Sequence, residues 1–121
     1  MSVEKWKKIE GYEGYYISNK GRVRVLDRIG ARGEYIPGCI RKENISQGGY
    51  SYVALSKGGI LKNFRVSRLV ANAFIPNPYG LPEVNHKDEN KLNNSVENLE
   101  WCTRQYNLEE IMHFEEVEAQ A

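Results

Sequence analysis

The 121-residue sequence has two cysteines, Cys39 and Cys102, set 63 positions apart. With no Cys-x-x-Cys pair, neither a disulfide framework nor a zinc knuckle is indicated, and two buried free thiols are expected. Long apolar runs are lacking too. No stretch reaches the ~20 residues that a membrane-spanning helix needs, and the opening Met-Ser-Val-Glu-Lys is charged. A soluble cytoplasmic protein with no membrane partner is therefore expected. Internal repeats and low-complexity tracts are also missing. What remains is 40% hydrophobic and 11% aromatic, enough for a modest core and against wholesale disorder. The length suits one domain, or one domain with a small appended module.

Acidic residues are scarce in the first two thirds. Residues 1–80 hold 14 Lys/Arg against 6 Asp/Glu, a balance of +8, whereas residues 81–121 hold 3 against 10, or −7. The overall +1 hides this split. A basic first part can hold a phosphate backbone by releasing counterions. The acidic second part cannot do so by itself, and its final stretch, 109–121, has 5 acidic residues and no Lys or Arg. Charge asymmetry of this kind points towards nucleic acid.

Residues 1–28 read as short strands broken by tight turns. A segment at 6–9 is followed by Gly11 and Gly14, then Tyr15-Tyr16-Ile17 runs into Ser18-Asn19-Lys20-Gly21. Arg22-Val23-Arg24-Val25-Leu26 alternates charged and apolar side chains, the pattern of a half-buried strand. Asn19 and Gly21 suit a turn that needs positive φ. Residues 27–38 carry Gly and Pro without period and read as loop. Tyr50-Ser51-Tyr52-Val53-Ala54-Leu55 alternates again. Lys57-Gly58-Gly59 is a hairpin signal, with residues 60–66 returning as the partner strand. Ser67 is expected to cap a short helix over 68–74, ended by Pro76 and Pro78. Glu83-Val84-Asn85-His86 reads as an extended piece, 87–95 as a polar loop, and Leu99-Glu100-Trp101-Cys102 as a second strand. Thr103 is expected to cap a helix from 104 to about 114.

One constellation in this last third carries chemistry. If the two strands pair and the helix packs across them, Asn85, His86 and Asn107 converge. Amide oxygens suit a hard cation such as Mg²⁺ when water and phosphate oxygens complete its shell. A neutral His86 could take a proton from an attacking water, and a bound ion would stabilise charge on the phosphate and leaving oxygen. Those parts suffice for phosphodiester hydrolysis. Read singly, each residue has a blander meaning: a strand histidine is usually structural, Asn90, Asn93, Asn94 and Asn98 suit turns and caps, and Trp101 suits a core.

Three runs carry a family resemblance. Arg68-Leu69-Val70-Ala71-Asn72-Ala73-Phe74-Ile75-Pro76-Asn77-Pro78, Pro82-Glu83-Val84-Asn85-His86-Lys87-Asp88 and Asn93-Asn94-Ser95-Val96-Glu97-Asn98-Leu99-Glu100-Trp101 closely resemble phage and intron HNH homing endonucleases of the His-Asn-Asn branch. The stretch from Trp6 through Gly14-Tyr15-Tyr16-Ile17-Ser18-Asn19-Lys20-Gly21-Arg22-Val23 is similar to the small modular DNA-binding motif found beside such nucleases. The resemblance implies an α+β fold: a small antiparallel β-rich amino-terminal part (residues 1–45), a ββα-metal (HNH) nuclease domain (46–114) and an acidic tail (115–121). It implies His86 as general base, Asn85 and Asn107 as ligands of one divalent ion (Mg²⁺ or Mn²⁺), and Asn98 as a structural brace of the loop between the strands. The implied partner is double-stranded DNA, nicked rather than cut through, in the host cytoplasm if the gene is phage-borne. Lys5, Lys7, Lys8, Arg22, Arg24, Arg65 and Arg68 are the expected DNA contacts.

The sequence departs from the family pattern in three places. Many relatives carry His where Ser67 stands and Gly where Glu89 stands, and they usually continue into a basic or helix-turn-helix segment where this sequence is acidic. A carboxylate three residues beyond the base could repel the scissile phosphate, and both expected metal ligands are neutral. These departures motivate an alternative: a catalytically weak or inactive HNH-derived protein that binds DNA as a regulator, or binds a host protein through its acidic carboxy-terminal part as a phage-encoded inhibitor.

Overall fold

The computed structural model describes residues 3–104. Asn107, nearly all of the expected last helix and the acidic stretch lie outside the described residues. Strands β1 (Trp6–Lys8), β2 (Tyr15–Ser18) and β3 (Val23–Val25) form an antiparallel meander. A two-stranded ribbon follows, β4 (Arg28–Ile29) with β5 (Tyr35–Ile36), and β6 (Cys39–Ile40) then returns to the far edge of β3. The first sheet thus runs β1-β2-β3-β6. Its inner face takes alternate residues: Tyr15, Ile17, Val23 and Val25 are buried while Arg24 is exposed, as the pleat requires. The β2–β3 turn is made by Ser18, whose hydroxyl accepts from the N–H groups of Lys20 and Arg22 at 3.2 and 3.0 Å, and by Gly21 at φ +87°.

A second sheet orders β7 (Asn44–Ile45), β8 (Ser51–Lys57) and β9 (Ile60–Arg65). Gly58 and Gly59 turn the β8–β9 hairpin with φ +58° and +80°, a region that costs an L-residue about 1–2 kcal/mol and glycine almost nothing. Helix α1 (Val66–Phe74) follows directly. Its end is held from two directions: Lys7 Nζ donates to the Ala73 carbonyl at 3.1 Å and Trp101 Nε1 to that of Ile75 at 3.0 Å. A cation at this end also opposes the helix dipole. The hairpin β10 (Glu83–His86) with β11 (Leu99–Cys102) closes the described chain, and a 3₁₀ turn, Val96–Asn98, leads into β11.

One core joins these parts. Ile17 and Val23 of the first sheet, Val53 and Leu55 of β8, and Val66 and Val70 of α1 are fully buried in a single cluster that includes Leu99 of β11. At about 1.5–3 kcal/mol for each such side chain, this shared cluster is the main force uniting the first sheet with the hairpin. Tyr15 reinforces it by accepting a hydrogen bond from Ser56 N at 3.1 Å. The mixed, strand-rich architecture with an early β-rich part agrees with the α+β expectation.

Three expectations need correction. Residues 27–38 are not simple loop, because β4 and β5 pair there. Asp27 closes the ribbon, accepting from the Tyr35 hydroxyl at 2.5 Å and from Gly38 N at 2.6 Å, and these bonds hold its carboxyl below the usual range. Ser67 does not cap α1: the capping position is Arg65, with no side-chain cap bond, and Ser67 is buried inside the first turn. Cys39 is exposed because β6 is an edge strand, and only Cys102 is buried. Among the described residues no helix is long and apolar enough to cross a membrane.

Candidate active site

In the β10–β11 hairpin, Asn85 lies opposite Glu100 and His86 opposite Leu99. Alternation places Val84, His86, Leu99 and Trp101 on one face and Glu83, Asn85, Glu100 and Cys102 on the other. The first face packs towards α1 and the core, through Leu99 and the Trp101–Ile75 bond. Consecutive residues of one strand therefore serve two surfaces. Asn85 and His86 have different hydrogen-bond partners, and Asn107 is outside the described residues.

His86 is 6% exposed, and its Nε2 lies 2.8 Å from Oδ1 of Asn94, itself 5% exposed. An amide oxygen only accepts, so Nε2 carries the proton and Nδ1 is left as the lone-pair nitrogen. Asn94 is wedged in turn against the β2–β3 turn. A Cβ built on Gly21 would sit 2.9 Å from Asn94 Cβ and 3.1 Å from its carbonyl oxygen. Beside it, Val96 N donates to the Asn19 carbonyl at 2.9 Å.

The loop between the strands is cross-braced by Asp88 and Asn98. Asn98 Nδ2 donates to Asp88 Oδ1 at 2.8 Å and to the Asn93 carbonyl at 2.9 Å, while its Oδ1 accepts from Asp88 N at 3.0 Å. Asp88 also accepts from Asn93 Nδ2 and from Asn90 N, each at 2.8 Å. The Asn93 bond, then that of Asn90, holds the Asp88 carboxyl below the ordinary carboxylate range. Glu89 is exposed and is the one non-glycine at positive φ among the described residues, φ 64°. A left-handed position favours glycine, which accounts physically for glycine at this place in the family pattern.

On the other face, Asn85 Nδ2 donates to Glu100 Oε1 at 3.0 Å. That bond fixes the amide so that Oδ1 remains the free acceptor. An amide oxygen beside a carboxylate is a donor set suited to a hard divalent cation, with water or phosphate filling the shell. Among the described residues no group of three or more His, Cys, Asp and Glu is arranged to hold a metal by itself. Cys102, on the same face, has its thiol pushed up by burial first and by Glu100 and Glu83 next, so it is inert.

The expected DNA contacts divide sharply. Arg22 is paired with Glu4 and lies over the Trp6 ring. Lys7 is committed to the end of α1, and Arg68 donates to the Pro82 carbonyl at 2.8 Å beside Trp101. The side chains of Lys5, Lys8 and Arg24 are exposed. Arg65 donates from Nε to the Tyr52 hydroxyl at 3.0 Å and stacks on Tyr50, whose ring centre is 6.3 Å from that of His86. Sequence reasoning had singled out neither Asn94, Asp88 and Glu100 for this site, nor Tyr50. Nothing in the polar run 87–98 distinguishes Asn94 from its neighbours; only the folded loop puts it against His86.

Residues 4–56 match the NUMOD4 motif and residues 64–109 match the HNH endonuclease family. The chain is 44% identical over 105 residues to the uncharacterised HNH endonuclease L245 of Acanthamoeba polyphaga mimivirus, covering 87% of this chain and 29% of that one. It is 41% identical over 108 residues to the DNA endonuclease I-HmuI of Bacillus phage SP01 (88% and 57%), and 31% identical over 107 residues to the H-N-H endonuclease F-TflII of Escherichia phage T5 (87% and 51%). A solved structure concerned with DNA binding and cleavage by the HNH homing endonuclease I-HmuI superposes with a TM-score of 0.74 at 41% identity, covering 90% of this chain and 58% of that one. The chain thus spans less than two thirds of the length of these relatives.

Proposed function

We propose that the chain, in which a match to the NUMOD4 motif precedes a match to the HNH endonuclease family, is an endonuclease of the HNH homing type that hydrolyses phosphodiester bonds of double-stranded DNA, nicking one strand. The single observation that carries this reading is the His86–Asn94 pair at 2.8 Å. A buried imidazole whose Nε2 is already bonded to an acceptor presents Nδ1 as a general base. His86 takes the proton of the attacking water at Nδ1, and the Nε2–H bond to Asn94 strengthens as the ring becomes charged.

Asn85 and, from beyond the described residues, Asn107 would hold one divalent ion, Mg²⁺ or Mn²⁺. Glu100 keeps the Asn85 amide oriented for that role. When bound, such an ion stabilises negative charge on the phosphate and the leaving oxygen. Asn98, with Asp88, braces the loop that carries Asn94, a structural contribution. DNA lies over the strands contributed by residues 1–68, with Lys5, Lys8, Arg24 and Arg65 as its contacts. Lys7, Arg22 and Arg68 are engaged within the protein and contribute less. The nuclease acts in the cytoplasm, that of a host cell if the gene is phage-borne.

A supercoiled-plasmid assay with Mg²⁺ or Mn²⁺ tests the reading, comparing the protein with His86→Ala. Relaxation is expected from the former and a loss of at least about a hundredfold from the latter. Folded protein that leaves plasmid intact at high excess would overturn it, in favour of a repurposed HNH domain that binds DNA or protein.

A further inference from the structure

Cation–π contacts recur throughout this molecule, so stacking alone points nowhere. One ring differs from the rest. Tyr50 carries two cations at once: the Arg65 guanidinium 3.8 Å from its centroid and the Lys91 ammonium 4.6 Å from it. The same ring adjoins His86. The ion pair among the described residues is Arg22–Glu4, so no carboxylate of the described residues neutralises Arg65 or Lys91. Two positive charges held on one ring raise the local potential, and an anion bound at its rim lowers it.

Both cations are held in place. Arg65 is half-buried at the end of β9, fixed by the stack on Tyr50 and by its Nε bond to Tyr52. Its Nη edge makes no hydrogen bond to the described residues and presents the planar fork that suits a phosphate. Lys91 reaches from the hairpin loop to the Gly48 carbonyl at 2.9 Å, and the Tyr50 backbone N is tied to Ser46 Oγ at 3.3 Å. Residues from β9, from the turn before β8 and from the loop after His86 therefore meet on one ring.

We propose that Arg65 and Lys91, organised by the Tyr50 ring, form a binding subsite for a backbone phosphate of the DNA strand that passes His86. The proposal rests on the DNA endonuclease reading and deepens it by naming where the strand is gripped. Arg65 supplies directional hydrogen bonds and Lys91 a point charge. Because the Tyr50 ring centre lies 6.3 Å from that of His86, the phosphate held is at or beside the one that reacts.

The test is fluorescence anisotropy with a DNA duplex in EDTA, across a salt series, for wild type, Arg65→Gln, Lys91→Gln and Lys62→Gln. Lys62 is an exposed lysine of β9 and controls for loss of one positive charge. Arg65→Gln and Lys91→Gln are each expected to weaken binding about tenfold, and the double variant to flatten the log–log salt slope by about 1, the loss of one neutralised phosphate. Lys62→Gln is expected to change neither. Arg65→Lys, which keeps charge and loses the fork, should slow single-turnover nicking at saturating DNA at least about tenfold. Lys91→Gln lies on an exposed loop, so it keeps the test valid should Arg65→Gln unfold the protein. Wild type that nicks plasmid, with Lys62→Gln weakening binding as much as Lys91→Gln, overturns the subsite and leaves the nuclease reading intact. Wild type that neither binds nor nicks DNA removes both.

Discussion

Asn94 Oδ1 stands 2.8 Å from His86 Nε2, and both residues are almost wholly buried. One amide thereby decides which imidazole nitrogen keeps its lone pair. Asn94→Ala should leave DNA affinity intact and reduce nicking about ten- to a hundredfold, since it frees the ring to rotate and to change tautomer. Asn94→Asp places a negative charge on Nε2–H, favours the protonated ring and should move the rise of the pH–rate profile to higher pH. Imidazole nitrogen NMR shifts give an activity-independent readout. Wild-type rates and an unmoved profile in both variants would remove Asn94 from the mechanism.

Gly21 should matter for catalysis although it carries no functional group. Alanine there meets a φ of +87°, a penalty of about 1–2 kcal/mol. Its methyl would also come within 2.9 Å of Asn94 Cβ, so Asn94 must shift. Gly21→Ala is expected to lower both the melting temperature and the nicking rate, and to perturb the His86 ring signals. Gly14, at φ +85° with open space around it, provides the comparison: Gly14→Ala should cost similar stability and leave the rate of the folded protein unchanged. Equal rate losses at the two sites would refute the argument.

The loop should show a specific acid dependence. Asp88 is held below its ordinary range by Asn93, Asn90 and Asn98. A lowered folded value means that its ionised form stabilises the fold above the unfolded value, and that this contribution is lost as pH falls through the folded one. Asp88→Asn should therefore melt below wild type near neutral pH, and the gap should close as pH falls below about 4. Melting curves between about pH 3 and pH 7 check this, and a gap independent of pH would show that the charge is irrelevant.

Glu100 offers a test of the proposed cation site that is independent of cleavage. Glu100→Gln keeps an oxygen to accept from Asn85 Nδ2 and removes only the charge, so Mn²⁺ binding followed by electron paramagnetic resonance should weaken several-fold. Asn85→Asp, which adds a carboxylate facing Glu100, should strengthen it, because a hard cation gains most from anionic oxygen. If Mn²⁺ affinity is the same in all three proteins, the ion does not reside on this face.

How much was readable in advance follows from the range of each interaction. Residues 83–86 and 99–102 are strands at the expected limits, and Val23-Arg24-Val25 and the Gly58-Gly59 hairpin turn are where alternation and turn chemistry put them. Those signals are local. The β4–β5 ribbon was not legible, because two-residue strands have no period and Tyr35 reaches across eight residues to Asp27. Ser67 looked like a cap because its chemistry suits one; the β9 ladder instead runs to Arg65 and leaves Ser67 inside the helix. The resemblance named His86, Asn85 and Asn98 as candidates, but gave no sign of Asn94 or Tyr50, whose placement beside His86 depends on contacts between segments far apart in sequence.

The seam formed by Gly21 against Asn94 and by Asn19 against Val96 limits how such proteins can be shuffled. The turn belongs to the NUMOD4 motif and the loop to the nuclease domain. A chimaera joined anywhere between residues 57 and 63 would draw the two sides of that seam from different parents. Such a chimaera is expected to fold only where the incoming turn fits the loop beneath it, whatever the length of the joining segment.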